Sequence, residues 1–393
     1  MTNSAHPEQT QTHYDVVVIG VGAMGAATCY YLAKQGVRVL GLEQFDIPHE
    51  LGSHAGQSRI IRKAYFEHPD YVPLLERAYE NWYELEALTG HQVFYKTGLL
   101  YLGQPGSELM KGVQESASKF KLHLDLLSDW QLATAYPQFR VPEGYEALLE
   151  PDAGFVTPEK AILLYVEQAI QHGATILTKT KITGWQQTRK NIVVETDHGQ
   201  YTTDKIVLTA GAWAGKLLPG LASKLTVTRQ VIGWVNPKNR APFELGNFPC
   251  WVIADANKPS IFYGFPLLPA GTFGGPIGLK LGHHVQGLAS DPDAVDRKTN
   301  AAEEANLIQA LNQFLPDAYS STHVLKTCLY TNTPDENFIL DFLPNTDNQV
   351  ILAAGFSGHG FKFASVVGEI MADLALKGKT ELPIGFLGVG RFL

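Results

Sequence analysis

Cysteine is scarce in this chain. Its 393 residues include three, Cys29, Cys250 and Cys328, too far apart for metal-ligand spacing or a disulfide framework. Free thiols of this kind suit a reducing cytoplasm, and Cys29 and Cys250 read as buried, inert ones. Basic runs are also missing. The formal net charge is −8, and a polyanion needs a basic surface, so nucleic-acid binding is excluded. No apolar stretch approaches the roughly 18–20 residues that span a bilayer, so no membrane association is expected. Residues 1–13 lack the apolar core of a signal peptide and read as a flexible tail. The C-terminal Gly390-Arg391-Phe392-Leu393 matches no peroxisomal or ER address. The 13 histidines show no metal spacing. His283 and His284 are adjacent, and a strand would turn them to opposite faces. There is no internal repeat and no low-complexity tract.

What remains is an ordinary globular composition, 45% hydrophobic and 18% charged, with enough chain for two to three folding units and a large core. Residues 15–20 form a β-branched run that stops at glycine, a buried strand. Residues 24–35 read as a helix closed by Gly36, and 37–43 as a second strand. This βαβ unit implies a parallel sheet. A helix with apolar residues at helical spacing covers 70–88, and 93–103 reads as strand. Thr157-Pro158-Glu159 is an N-cap, a proline at the first helical position and an acidic first turn, opening a helix to Gly173. Strands are expected at 174–178, 191–196 and 200–208, strand-like pieces at 231–235 and 260–263, a helix at 299–314, and strands at 324–330 and 349–354. The segment Gly355–Gly360 opens a final helix to about Leu376. The chain thus visits a nucleotide-binding domain three times, through 14–95, 150–225 and 324–393. A second domain comes from 96–149 and 226–323.

Gly20-Val21-Gly22-Ala23-Met24-Gly25 matches G-x-G-x-x-G between a strand and a helix, with Glu43 ending the next strand. Gly20 allows the tight turn, Gly22 lets the backbone approach a pyrophosphate, and Gly25 lets helix and strand pack closely. The helix N-terminus offers unpaired N–H groups to phosphates. Glu43 can accept hydrogen bonds from ribose hydroxyls and disfavours a 2′-phosphate. The motif alone does not choose between NAD and FAD.

The segment Gly52-Ser53-His54-Ala55-Gly56-Gln57-Ser58-Arg59-Ile60-Ile61-Arg62-Lys63-Ala64-Tyr65 resembles the one that carries active-site residues in the monomeric sarcosine oxidase and N-methyltryptophan oxidase family. So do Thr209–Ala214, Tyr263–Pro266, Lys280–His284, Lys326–Asp335 and Gly355–Lys362. The cysteine segment, Lys326-Thr327-Cys328-Leu329-Tyr330, is the most specific. The resemblance runs from residue 14 to about 375. It implies a mixed α/β flavoprotein of the D-amino-acid-oxidase type (GR2), with a Rossmann-like FAD-binding domain and a largely antiparallel-sheet substrate domain. It also implies FAD attached as an 8α-S-cysteinyl thioether at Cys328. The implied reaction oxidises the N–CH bond of an N-methyl amino acid or cyclic imino acid, of the sarcosine, N-methyltryptophan, proline or pipecolate type, and reduces O2 to H2O2.

Residue by residue, the resemblance makes Arg62 and Lys362 a carboxylate clamp, Arg59 a neighbour of the flavin ring, Lys280 the oxygen-activating cation, and Tyr263 and His284 the substrate wall. It puts Gln44, Ser53, His54, Ser58, Gly355, Gly358 and Gly360 on the cofactor. It favours a monomer acting on a small amino acid and O2. Three departures stand out. Ala55 replaces a histidine, Ser58 replaces a threonine, and Leu267–Phe273 are extra residues expected to alter the pocket mouth. Rival readings are a flavin dehydrogenase that passes electrons to a partner, a flavoprotein without catalysis, and an NAD-dependent dehydrogenase.

Overall fold

A computed structural model describes residues 12–256 and 260–392. Of the expected tail 1–13, residues 1–11 lie outside the described residues, while His13 already begins the first strand, His13–Ile19. Val16 and Val18 of that strand pack into one core and Val17 and Ile19 into another. Burial on both faces explains a run of β-branched residues without polar alternation. The strand lies parallel to Val39–Leu42 on one side and Gly199–Leu208 on the other. Thr175–Leu177 and Val350–Ala354 extend this parallel set outward. Ile182–Gln187 and Ile192–Thr196 form a hairpin on the first half of Gly199–Leu208, and Ile339–Phe342 adds an antiparallel edge.

Three helices, Ala23–Ala33, Pro158–Gln171 and Ala364–Lys377, cover one face of this sheet. Thr157 is the N-cap residue of the second, as expected, but its side chain makes no cap bond. Its hydroxyl donates to the Val93 carbonyl at 3.3 Å instead. The final helix also differs from expectation. Gly355–Gly360 is loop, a 3-10 turn follows at Phe361–Phe363, and the α-helix starts at Ala364. Two positive-φ glycines, Gly355 and Gly358, keep that loop out of helical conformation.

The second sheet has eight strands in the order Ser321–Asn332, Thr226–Asn236, Leu279–His284, Ser260–Gly264, Cys250–Asp255, Leu99–Gly103, Glu146–Glu150, Asp125–Leu127. All neighbours are antiparallel except Cys250–Asp255 with Leu99–Gly103. Helix Ala301–Phe314 covers one face, packing Leu307, Leu311 and Phe314 against Phe262 and Leu281.

Two boundaries need correction. The cysteine-bearing strand, placed at 324–330 within the nucleotide-binding part, is the edge of the second sheet and runs from Ser321 to Asn332. The strand expected over 93–103 is two strands. Gly98, at φ +73°, breaks it. Phe94–Lys96 joins Arg59–Ile61 and Gly154–Val156 in a small sheet, while Leu99–Gly103 enters the large one.

All three thiols are free and buried, and among the described residues no helix is long and apolar enough to cross a membrane. No cluster able to hold a metal ion occurs among the described residues.

The helix pair Ala23–Ala33 and Ala364–Lys377 meets through Gly368, where an added Cβ would lie 2.5 Å from the Ala27 Cβ. Gly368→Ala should therefore lower the thermal midpoint, with overpacking costing about 1–3 kcal/mol. An unchanged midpoint would show that the helices separate freely.

Candidate active site

One cavity of about 550 Å³ runs from the turn after the first strand to the face of the second sheet. At its first end Gly20 sits at φ +91° against the Thr209 carbonyl, and a side chain on Gly25 would overlap the Gly20 carbonyl. Both glycines are forced by the protein's own packing. Gly22 is not. A Cβ there would meet only His54, at 3.8 Å, so its missing side chain opens the cavity instead. Ala23, Met24 and Gln44 line the same end, and Gly25 lies behind it.

Glu43 closes the turn. Its carboxylate accepts from Val21 N at 2.9 Å and Phe45 N at 3.0 Å. Burial pushes its pKa up, and backbone N–H donors oppose the shift. Next to it, His54 is buried with Nε2 on no partner among the described residues. Burial, then His49 and Arg59, lower its pKa to about 3, so the ring is neutral. A buried nitrogen without a partner, beside an open Gly22 and a ribose-compatible carboxylate, fits a dinucleotide with polar groups still to be matched.

The loop from Ser53 to Glu67 forms the cavity's long wall. Two carboxylates staple it. Glu159 accepts from Gly56 N at 2.7 Å and Gln57 N at 3.1 Å, and Glu150 accepts from Lys63 N at 2.6 Å and Tyr101 OH at 2.6 Å. Held this way, the loop turns carbonyls toward two cations. Arg59 donates to Ser53 O at 2.9 Å, Ala55 O at 2.6 Å and Ser58 O at 2.8 Å. Lys280 Nζ donates to Gly56 O and Ser58 O, both at 2.5 Å. Arg59 and Ser53 line the cavity, whereas Lys280 and Ser58 lie behind its wall. Burial, then Arg59, push the Lys280 pKa well down. The extra segment Leu267–Phe273 is not on the cavity wall either. It packs through Leu267 on the Phe243–Phe248 side, and through Phe273 on Tyr95 and Phe155. The segment therefore does not itself line the cavity. Its link to the site is indirect, through Gln57, which donates to Gly274 O at 2.6 Å and accepts from Trp234 at 3.1 Å.

Cys328 is the one thiol of the three on the cavity wall. Burial raises its pKa, and Arg59 and Lys280 work against that. Past it come two tyrosines and a histidine. Tyr263 is raised to about 12 by burial, and Tyr330 hydrogen-bonds His284 Nδ1 at 3.3 Å. Each ring rests on a glycine. A Cβ on Gly282 would lie 2.5 Å from the Tyr263 hydroxyl, and one on Gly358 would enter the Tyr330 ring. As expected of adjacent residues in a strand, His284 faces the cavity while His283 stacks on Phe262 at 4.2 Å.

The far end is a charged cluster. Arg62, 4% exposed, donates to both oxygens of Glu67, at 2.8 and 2.6 Å, and to Ala64 O at 2.9 Å. Burial works to raise the Glu67 pKa, but Arg62, His359 and Lys362 outweigh it and hold it at about 2. Lys362 Nζ donates to His359 O at 2.8 Å and to Tyr65 OH at 3.4 Å. Burial and Arg62 bring its pKa down to about 7 despite Glu67. His359 Nε2 donates to Glu336 O at 3.0 Å, which leaves Nδ1 to accept from Tyr65 OH at 2.6 Å. Gly355, Gly358 and Gly360 line the cavity beside it.

Glu67, Tyr65, Tyr330 and His359 escaped the sequence reading as site residues. Three of them lay inside quoted segments, but a tyrosine or histidine there has no spacing that separates it from core. Glu67 follows a loop without periodicity, and only its partner Arg62 gives it meaning.

A family model described as FAD dependent oxidoreductase matches residues 15–374. Monomeric sarcosine oxidase of Bacillus sp. (strain NS-129) is 43% identical over 385 residues, which cover 97% of each chain. N-methyl-L-tryptophan oxidase of Yersinia pestis (strain Pestoides F) is 34% identical over 382 residues, 96% of this chain and 99% of that one. Among solved structures, the open form of NikD, described as an unusual amino acid oxidase essential for nikkomycin biosynthesis, superposes with a TM-score of 0.84 at 26% identity, over 96% of this chain and 97% of that one. With a dinucleotide turn, a cavity that continues from it and a match over nearly its whole length, this chain belongs to the FAD-dependent oxidoreductase family.

Proposed function

We propose that the chain oxidises the N–CH bond of a carboxylated secondary amine, an N-methyl amino acid or a cyclic imino acid, with O2 as acceptor. The observation that carries this reading is the continuity of one cavity from the Gly20–Met24 turn, past Cys328, to the paired cations Arg62 and Lys362. The named activities of the sarcosine and N-methyltryptophan oxidase relatives support it.

The Gly20–Met24 turn would hold the FAD pyrophosphate, Glu43 the ribose, and Gly355–Gly360 with Arg59 the ring end. Cys328 is proposed as the covalent attachment, because Cys29 and Cys250 are away from the cavity wall. FAD held there would supply the redox chemistry, accepting two electrons as the C–H beside the nitrogen and the N–H are lost, leaving an imine that hydrolyses, and delivering those electrons with two protons to O2 as H2O2. The chain's residues bind and orient. Arg62 offers a planar fork and Lys362 a point charge to the substrate carboxylate, which then competes with Glu67 for Arg62. Tyr65 fixes the Lys362 ammonium. Neutral His284 and the Tyr263–Tyr330 pair face the amine, and all three stay uncharged at neutral pH because burial opposes their ionisation. Lys280, behind the wall, acts on O2 through its field. The withdrawn, deprotonation-prone Lys280 also favours a second reading, transfer of electrons to a partner acceptor in place of O2. The Bacillus relative is called monomeric, which supports the same state here.

Peroxide assays over sarcosine, N-methyltryptophan, proline and pipecolate test the main reading. Turnover of at least one with stoichiometric H2O2 is expected, and dye reduction without peroxide would establish the second reading. The flavin absorbance of denatured, desalted protein should remain with the chain, and Cys328→Ala should release it. Complete release from the unsubstituted protein would end the thioether proposal. Lys362 loses its proton as pH rises through about 7, so kcat/KM should fall across that range. Lys362→Met should raise KM about tenfold or more and remove that limb of the pH profile.

A further inference from the structure

We propose that the substrate carries an aliphatic chain or ring on its α-carbon, received by an apolar subsite of Ile60, Phe66, Val252 and Ile261. This deepens the amine-oxidase reading and rests on it. The subsite begins at the clamp. Ile60 lies in the strand Arg59–Ile61, two residues before Arg62, and both residues line the cavity. The Phe66 ring centre lies 4.5 Å from the Arg62 guanidinium carbon. Any group joined to the carbon beside a clamped carboxylate therefore starts against Ile60 and Phe66.

The opposing wall comes from the second sheet. Its register sets Val252 across from Tyr263 and Ile261 across from His284. Ile261 and Tyr263 are two apart on one strand and share a face. The apolar pair thus flanks the tyrosine and histidine wall on the same face. Ile60, Phe66 and Ile261 pack on the core under this face, yet each is only half-buried. Their uncovered apolar surface is in the cavity.

None of the four side chains can donate or accept a hydrogen bond. Glu67, the acidic group on the same wall as Phe66, is already on Arg62. A polar or charged α-substituent would leave water here without a replacement partner. An aliphatic one gains roughly fourfold in affinity for each methylene it buries. Sarcosine, with no α-substituent, leaves this surface bare.

Carboxylates without an amine test the subsite by binding alone. The holoenzyme is titrated with sodium acetate, butanoate and succinate, and the change in flavin absorbance gives each Kd. Butanoate should bind about tenfold or more tightly than acetate, from two added methylenes, and succinate no more tightly than acetate. Val252→Asn and Ile261→Asn should each cut the butanoate-to-acetate ratio several-fold. Equal affinities for acetate and butanoate, or preference for succinate, would overturn the inference while leaving the clamp intact. Should no carboxylate perturb the flavin, the clamp itself and the amine-oxidase reading fall together with it. The ligand series needs only the unsubstituted protein, so a variant that misfolds does not remove the test.

Discussion

Two carboxylate staples, half-buried Glu159 on the Gly56 and Gln57 amides and buried Glu150 on the Lys63 amide, govern the geometry of this site. Between and around them the loop Ser53–Glu67 has little regular structure beyond the strand Arg59–Ile61. Its backbone has to be satisfied from elsewhere. The carboxylates supply acceptors for its N–H groups, and Arg59 and Lys280 supply donors for its carbonyls. An irregular segment becomes a rigid wall because charged side chains from two different parts of the chain complete its hydrogen bonds.

The same arrangement separates two kinds of cation. Lys280 and Arg59 are bound to carbonyls and carry no carboxylate partner among their hydrogen bonds. Both oppose the rise that burial imposes on the Cys328 thiol, while Glu159 partly offsets the cost of burying Lys280. Arg62 is paired directly with Glu67, and Lys362 leans on an oxygen-lined corner of Tyr65 and His359. A buried charge with an internal partner avoids the cost of standing unpaired.

The nucleotide end was legible because its signal is local. The glycine spacing, the flanking strand and Glu43 fall within thirty residues, and two of the three glycines answer to a contact the structure displays, Gly20 on Thr209 and Gly25 on Gly20, while Gly22 leaves the cavity open. The clamp and cavity wall were reached through family resemblance, since Arg62 and Lys362 are 300 residues apart and no periodicity joins them. Places where the sequence misled are those where tertiary pairing decided the outcome. Gly98 split one apparent strand between two sheets. The strand Ser321–Asn332 was grouped with the segment that follows it, whereas its pairing to Thr226–Asn236 binds it to the segment before. Thr157 found the Val93 carbonyl, so its capping signature served another contact. The extra residues at 267–273 sit near Tyr263 in sequence but do not line the cavity, and Phe273 packs in an aromatic cluster with Tyr95 and Phe155.

The position of Cys328 has a mechanical meaning. Its strand is hydrogen-bonded into the second sheet, while the cavity its sulfur faces begins on the first. A ligand seated on the glycine turn and bonded to that sulfur would rivet two halves of the chain that otherwise meet through non-covalent packing. Prising them apart would then require the ligand to leave the turn while still tied to the opposite side, so that loading the site would make the molecule harder to pull open as well as chemically competent.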